Sequence, residues 1–320
     1  MRITNGMSTS NMLRNLQYSN ERMAKLQEHM SSGRRLNRPS DDPIGIARSL
    51  KFNRDLVDNT QFIRNAEDAK TLLDTADIAL NDIGNIIQRA KELTIAGANG
   101  TLPQQSRDAL AMEVNELLEQ AIQLGNTAKG GAYVFAGSQV NTEPFTLIAG
   151  PPEYVQYSGD GFTAGDGKIE YEIAPGIKDN VNFTGPEVLG YFTPSIPGPP
   201  ELPPGGTAAD PNLFNHLISL RDSLYTDNQA NIQQLMTTFD ADLDNNLEVR
   251  ATLGAKMNKL DLALARMENA TINITDQIAK TGDADMAFSI TQMKLEENIY
   301  RSALSVGARI IPPSLVDFLR

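Results

Sequence analysis

The amino-acid sequence predicts a mainly α-helical protein with a small inserted β domain, in which long helices pack antiparallel as a coiled-coil-like bundle. Apolar residues spaced alternately by four and three positions run through both ends of the 320-residue chain, which is typical of helices that pack along other helices. Short alternating segments rich in aromatic residues fill the middle. The chain is therefore expected to run out along helices, through the β domain, and back.

The first predicted helix has a seam with heptad spacing. The seam consists of Met12, Leu16, Ser19, Met23, Leu26 and Met30. Gly33 is expected to end this helix. A much longer helix is predicted to start near Pro43, with Asp41 and Asp42 placed to favour its N-terminal dipole, and to end in the stretch 97–100. A third helix is predicted from Pro103 to Gly125.

Near residue 130 the pattern changes to short strands. The predicted strands are 132–135, 145–148, 153–157 and 168–173. Glycine, proline, asparagine and aspartate separate them, which predicts a small domain of hairpins. Six prolines follow between residues 191 and 206, and they predict an extended, stiff linker.

Helical spacing returns after Asp210 and Pro211, which are predicted to cap and open a short helix. Its apolar positions are Leu213, Leu217, Leu220 and Leu224. A long helix follows and is expected to be interrupted at Gly282 and Asp283. A last helix is predicted over 285–309, with Pro312 and Pro313 ending it.

These elements predict six segments, in which the two ends of the chain share their domains. The segments are 1–42 and 283–320 (inner helical domain), 43–130 and 207–282 (helical rod domain), 131–190 (inserted β domain) and 191–206 (proline-rich linker).

Composition excludes most kinds of catalytic chemistry. The chain has no cysteine and only two histidines, so disulfides, thiolate metal sites and histidine-based triads are not expected. The acidic run at 240–244 resembles a calcium loop, but Asn245 and Ala251 stand where that loop needs glycine and glutamate. No nucleophile with a base can be assembled. The sequence therefore predicts no enzyme, no cofactor and no metal.

Charge and hydropathy bear on the partners. With 28 basic and 40 acidic residues the net charge is −12, which argues against nucleic acid as a partner. No run of 18 apolar residues is present, so membrane insertion is not expected. The N-terminus lacks the apolar region of a cleavable secretory signal, which predicts a cytosolic protein or one exported by another route.

Neither terminal helix can bury its seam alone, so the two are expected to pair and to expose a second stripe. We predict that these residues form an assembly interface between copies. The predicted interface is Met12, Leu13, Leu16, Met23, Leu26, Met30, Phe288, Leu295, Ile299, Leu304 and Val306. Both termini are expected to be mobile in the monomer and to fold when subunits stack.

A basic cluster follows the first helix. This basic collar consists of Arg34, Arg35, Arg38, Arg48, Lys51 and Arg54. The preferred interpretation is that it meets acidic surface on a neighbouring subunit. The alternatives are a merely solvated face, or a site for nucleic acid or an anionic membrane.

Several segments resemble the flagellin superfamily. The opening MRITNGM and the segment 11–16 look like the start of its members, and SGRRLNRPSDDP at 32–43 is similar to its hook–filament junction family. GAYVFAGS at 131–138, the segments 143–145 and 157–161, DADMA at 283–287 and SLVDFL at 314–319 extend the resemblance over essentially the whole chain. Only the prolines at 312 and 313 depart from the pattern.

The resemblance implies a flagellin-like hairpin fold and a structural protein of the bacterial flagellum. It implies export through the flagellar type III apparatus without cleavage, and a chaperone that holds the termini before export. The implied position is a ring layer of copies of the chain, between the first hook-associated protein and flagellin. A short filament flagellin is the alternative within the same superfamily.

Overall fold

The structure, a computed structural model, describes residues 5–150, 152–161, 167–190 and 211–310. Its helices are α1 (Asn5–Ser32), α2 (Pro43–Gly97), α3 (Gln104–Gly125), α4 (Gly185–Leu189), α5 (Leu213–Thr226), α6 (Gln229–Gly282) and α7 (Met286–Ile310). Its strands are β1 (Ala128–Lys129), β2 (Ala132–Tyr133), β3 (Phe145–Ile148), β4 (Tyr154–Tyr157), β5 (Glu170–Ala174) and β6 (Ile177–Asn180). Consecutive strands pair as three antiparallel hairpins. The predicted fold class, mainly helical with a small inserted β part, is confirmed.

The helix boundaries follow the capping residues. Gly33, with a φ of +69°, comes directly after the last residue of α1. The Asp42 carboxylate accepts the backbone N–H groups of Ile44 (3.1 Å) and Gly45 (3.0 Å), which satisfies two of the free donors at the start of α2. Asp42 therefore caps the start of α2, where its charge was expected to favour the helix dipole.

The start of α5 corrects a prediction. Pro211 is not its first residue, because Asn212 is extended (φ −131°, ψ 158°) and its side chain accepts the N–H of Asn215 at 3.0 Å. An asparagine therefore caps the helix. Asp210, the proline-rich linker 191–206 and the prolines at 312 and 313 lie outside the described residues.

The strand predictions hold in part. The segment 145–148 is β3, and 153–157 contains β4. The segment 132–135 is a strand only at 132–133, and 168–173 is replaced by β5 at 170–174. Strands β1 and β6 and the short helix α4 were not predicted. Strand β1 has two residues and α4 has five, which is too short for a pattern, and β6 reads Ile-Lys-Asp-Asn, which has no apolar alternation.

The chain divides into two units. The central unit, Gln61–Glu268, contains α3, α5, the hairpins and parts of α2 and α6. There α2 and α6 run antiparallel: the Asn246 amide donates to the carbonyl of Leu80 (3.1 Å), and Arg250 pairs with Asp77 (3.0 Å). The predicted seam of α2 is buried from Ala66 to Ala90.

An aromatic cluster joins the β3–β4 hairpin to the helices of the central unit. The ring centroid of Phe145 lies 5.2 Å from that of Tyr157 and 5.1 Å from that of Phe214 on α5. The Tyr157 hydroxyl lies 2.9 Å from the carbonyl of Phe135 and 2.8 Å from that of Asp160, both acceptors. Burial raises the pKa of Tyr157, so the hydroxyl stays a donor. The cluster fixes this hairpin on the helical core.

Candidate assembly interface

The terminal unit, Met1–Thr60 with Asn269–Arg320, contains the pair of α1 and α7. The predicted seam of α1 is its least exposed side: Ser19 is buried, and Met12, Leu16, Met23, Leu26 and Met30 are half-buried. One helix partner can cover only part of such a seam. The pair therefore leaves apolar surface on α1 partly open to solvent.

A polar contact lies in the middle of this pair. Arg22 donates from Nε and Nη2 to the two carboxylate oxygens of Glu296, at 2.7 Å and 3.0 Å. Ser19 donates to the same carboxylate at 3.1 Å. The hydrogen bond from Arg22 is the main reason why the pKa of Glu296 lies below its usual range. A single polar contact within an apolar seam favours one register of two helices over the others.

The side of α7 that faces α1 has small and polar residues at its most buried positions. Ser289 and Gly307 are buried, and Glu296 lies between them. Gly307 is a point of close approach, because an added Cβ would lie 1.5 Å from Cε of Met12. Met293 and Tyr300 are half-buried on the same side, but most of the large apolar residues of α7 lie elsewhere on the helix.

These apolar residues form two exposed stripes. The first, here the α7 front stripe, is Phe288, Leu295, Ile299 and Val306, with exposed fractions of 61%, 53%, 44% and 53%. The second, the α7 back stripe, is Met286, Ile290 and Leu304, at 42%, 46% and 46%. At about 100° per residue, the two stripes flank the α1-facing side by roughly 100° and 70° in opposite directions. The helix thus has two exposed apolar surfaces, one on each flank of the side that α1 covers.

The predicted interface residues therefore fall into two groups. The five seam residues of α1 face α7 within the chain, whereas the four front-stripe residues and Leu304 face solvent. Leu13 on α1 is also exposed, at 58%. Sequence reasoning missed the polar contact of Ser19, Arg22 and Glu296, although a glutamate between apolar positions of a heptad pattern is a signal that could have indicated it.

The loop after α1 and the loop before α7 lie at the same end of the helix pair and are hydrogen-bonded to each other. Arg35 N–H donates to the carbonyl of Gly282 (2.7 Å), and Ala284 N–H donates to the carbonyl of Gly33 (2.9 Å). The Arg35 guanidinium adds a bond to the carbonyl of Thr281 (2.9 Å). These bonds hold the loop after α1 against the loop before α7.

Asp41 stabilises the same connection from the side of α1. Its carboxylate lies 2.9 Å from Lys25 Nζ and accepts the N–H groups of Arg38 (3.0 Å) and Asn37 (3.4 Å). The contact with Lys25 is the largest cause of a lowered pKa at Asp41.

The structure does not gather the basic collar into one site. Arg35 holds the connection described above, and Arg38 pairs with Glu28 on α1. Arg34 is exposed, and its backbone forms a bridge with Asp283. Arg48, Lys51 and Arg54 are exposed on α2, and no ion pair joins them to any part of the chain that the structure describes. These last three are the cations of the collar available to a partner.

Other kinds of site have little support. No described helix is long and apolar enough to cross a membrane. Within the described ranges no group of three or more histidine, aspartate or glutamate side chains is placed to hold a metal. In the acidic run at 240–244, Asp240 pairs with Lys91, and Asp242 lies 2.7 Å from Nδ1 of His216. These two carboxylates therefore have partners within the fold.

Comparison with known proteins accounts for both helical ends. The family model of the bacterial flagellin N-terminal helical region matches residues 3–140, and that of the C-terminal helical region matches residues 236–319. The chain belongs to the flagellin superfamily. The two matched regions contain the predicted seams at both ends of the chain, and they lie on either side of residues 141–235, which contain strands β3 to β6.

Individual members of the superfamily resemble the chain along most of its length. Flagellar hook-associated protein 3 from Escherichia coli (strain K12) is 26% identical over 314 residues, which is 95% of each chain. Two solved structures from Legionella pneumophila share the fold. Hook-associated protein-3 (20% identity, TM-score 0.57) covers 72% of this chain and 96% of its own. The flagellar junction protein (19% identity, TM-score 0.55) covers 75% and 100%.

Proposed function

We propose that the chain is a structural component of the bacterial flagellum that forms the layer between the hook and the filament. The observation that carries this proposal is the pair of exposed apolar stripes on α7, which flank a side already occupied by α1. Apolar surface in continuous stripes marks a site of protein association. The end-to-end similarity to a hook-associated protein supports the position at the hook.

The proposed mechanism is mechanical. The α1–α7 pairs of several copies pack side by side through the α7 front and back stripes and form an inner ring of helices. Hook-associated and filament subunits are the neighbours on either side of this layer, the first hook-associated protein toward the hook and flagellin toward the filament. Residues 1–42 and 283–320 are the inner domain in this proposal.

The same surfaces explain the proposed route to this position. A chain with exposed apolar helices at both ends needs a chaperone before secretion, since such stripes associate without selectivity. The absence of cysteine fits export of an unfolded chain, because no disulfide has to be broken. We infer an extracellular location in the flagellum, reached without cleavage of a signal peptide.

Deletion of the gene tests the proposal. Electron microscopy of the deletion strain is expected to reveal hooks without filaments, and flagellin is expected in the medium. A plasmid copy of the gene should restore the filaments. Normal filaments in the deletion strain would contradict the proposal.

A filament flagellin is the second candidate, because both matching family models describe flagellin itself. The two candidates differ in what the purified chain does alone. A flagellin elongates into long filaments without other proteins, whereas a junction protein stops at one layer. Negative-stain microscopy of the purified protein, with and without added filament seeds, separates the two.

A further inference from the structure

The charges of the chain are segregated between its two units. Residues of the terminal unit, 1–60 with 269–320, include 15 basic and 12 acidic side chains, a net charge of +3. The central unit, 61–268, has 13 basic and 28 acidic side chains, a net charge of −15. The terminal unit of one copy is therefore attracted to the central unit of another copy, whereas two units of the same kind repel each other.

The basic surface of the terminal unit lies on the first turns of α2. Leu50, Arg54 and Val57 recur at i, i+4 and i+7, so they lie along one line of the helix. Leu50 and Val57 are each 64% exposed, and Lys51 is exposed beside them. With Arg48 included, residues 43–57 hold three cations and one carboxylate, Asp55. We call Leu50, Lys51, Arg54 and Val57 the basic face.

The central unit contains a surface of opposite character. A groove of about 310 Å³ between α2 and α3 is lined by Asp82, Asn85, Ile86, Arg89, Leu117 and Gln120. Ile86 is buried and gives the groove an apolar floor. Ile78, one turn before Asp82 on α2, and Met112 on α3 are 66% and 62% exposed. The groove therefore combines an apolar floor with further exposed apolar side chains on both helices.

The charge of this groove is negative. Arg89 is its one lining cation, and it pairs with two carboxylates, Glu113 (2.6 Å) and Glu92 (2.7 Å). Asp82 has no ion-pair partner within the ranges that the structure describes, and Glu116, next to Leu117 on α3, is exposed. A cation that enters the groove meets an uncompensated carboxylate at Asp82.

We propose that this groove binds the basic face of a second copy of the chain. The apolar residues Leu50 and Val57 pack on Ile78 and the groove floor, and Arg54 pairs with Asp82. Because the two surfaces differ, the contact joins unlike positions of the two copies. This inference rests on the proposed function, in which copies of the chain lie side by side. It adds which surfaces of two neighbouring copies meet.

Disulfide mapping tests the contact, since the natural chain has no cysteine. Chains carrying Val57→Cys and chains carrying Ile78→Cys are coexpressed in the deletion strain, and isolated flagella are oxidised. We expect a crosslinked dimer when both variants are present and none when either is expressed alone, because the proposed contact joins position 57 of one copy to position 78 of another. Val57→Cys with Leu262→Cys, exposed at 75% on α6, is the matched control and should give no dimer. Failure of the 57–78 crosslink, or capture of a different protein at either position, overturns the proposal.

Charge reversal supplies an independent readout. Asp82→Arg and Arg54→Glu should each lower incorporation at the hook tip about tenfold or more, because each places like charges together. The double variant should regain most of the incorporation. Normal incorporation of the single variants, or no recovery in the double variant, overturns the docking. If the natural chain is itself missing from the hook tip, the proposed function fails instead, and crosslinking of the purified variants still decides whether the two surfaces meet.

Discussion

Arg22 on α1 and Glu296 on α7 form a two-bond contact, 2.7 Å and 3.0 Å long, across the pair of terminal helices. Ser19 adds a third hydrogen bond to the same carboxylate. The seam around this contact consists of half-buried apolar residues, which can slide past one another at little cost. The contact therefore sets the register in which α1 and α7 pair, and with it the direction of the exposed stripes of α7.

The first prediction removes this contact. Glu296→Ala should loosen the pairing of α1 and α7, because Arg22 and Ser19 lose their shared acceptor. Hydrogen–deuterium exchange is expected to speed up in both terminal helices and to stay unchanged in α3 and α5. Glu297→Ala is the control, since Glu297 is exposed and pairs with Arg301 on its own helix. Equal exchange in the two variants would falsify the role in pairing.

The second prediction concerns pH. Because the pKa of Glu296 is lowered in the folded protein, its stabilising effect is fully present above the ordinary glutamate pKa of about 4.3. The effect is lost as the pH falls through the lowered value, where the carboxylate takes up a proton. The α1–α7 pair should therefore loosen when the pH falls below the lowered pKa of Glu296.

A fluorescent reporter can follow this transition. The chain has no tryptophan, so Tyr300→Trp, on the half-buried side of α7, introduces a single probe. Its emission is expected to shift to longer wavelength as the pH is lowered. In a protein that also carries Glu296→Gln, the acid-induced shift of the tryptophan emission should be absent. If the shift persists unchanged in that variant, another titrating group causes it, and Asp41 is the first group to test.

The third prediction concerns the α7 front stripe. Leu295→Asp should leave the chain folded, since the side chain is already 53% exposed, and should abolish incorporation at the hook tip. Leu262→Asp, on an exposed position of α6, is the matched control. Circular dichroism checks the fold and immunoelectron microscopy checks incorporation. Incorporation of the Leu295 variant at the natural level would remove the front stripe from the interface.

Leu16→Asp is informative for a different reason. Leu16 is half-buried on the seam of α1, so the variant is expected to lose incorporation and to loosen the α1–α7 pair as well. Hydrogen–deuterium exchange distinguishes loss of the contact between copies from loosening of the α1–α7 pair. Leu295→Asp should leave the protection of the α1 amides unchanged, whereas Leu16→Asp should reduce it.

The fourth prediction concerns the aromatic cluster of the central unit. A Cβ at Gly185 would lie 2.5 Å from Cε2 of Tyr157 and 2.7 Å from Cζ of Phe145, and neither ring can move without disturbing the core. Gly185→Ala should therefore lower the free energy of unfolding by about 1–3 kcal/mol. Urea unfolding followed by circular dichroism measures this change.

Gly254→Ala is the matched control for that substitution. Gly254 lies inside α6 with no atom within 4 Å of an added Cβ, so alanine should raise the free energy of unfolding by about 0.5–1 kcal/mol. Opposite signs for the two variants are expected. A neutral Gly185→Ala would mean that the hairpin is not held on the helices by this cluster.

Local patterns in the sequence were sufficient for much of the fold. The seams of the long helices and the glycines that follow α1 and end α3 are encoded within a few residues, and the structure places them as predicted. Asp42 lies at the start of α2, as expected, and the structure adds that it caps this helix. The N-cap of α5 was assigned wrongly, since Asp210–Pro211 and Asn212 are both acceptable starts and only the packing of Leu213 and Phe214 into the core decides between them. Strand β1 was too short to give a pattern, and β6 is too polar to show the alternation of a strand.

The sequence by itself determined that both ends of this chain are apolar helices that need partners, because heptad spacing is a property of the helix alone. Only the tertiary structure decided which side of α7 faces α1. Ser289, Glu296 and Gly307 occupy that side, although the residues around them are far more apolar. The physical reason is that a hydrophobic stripe has the same spacing whether its partner lies in the same chain or in another. The distinction depends on the close approach at Gly307 and on the hydrogen bonds of one carboxylate.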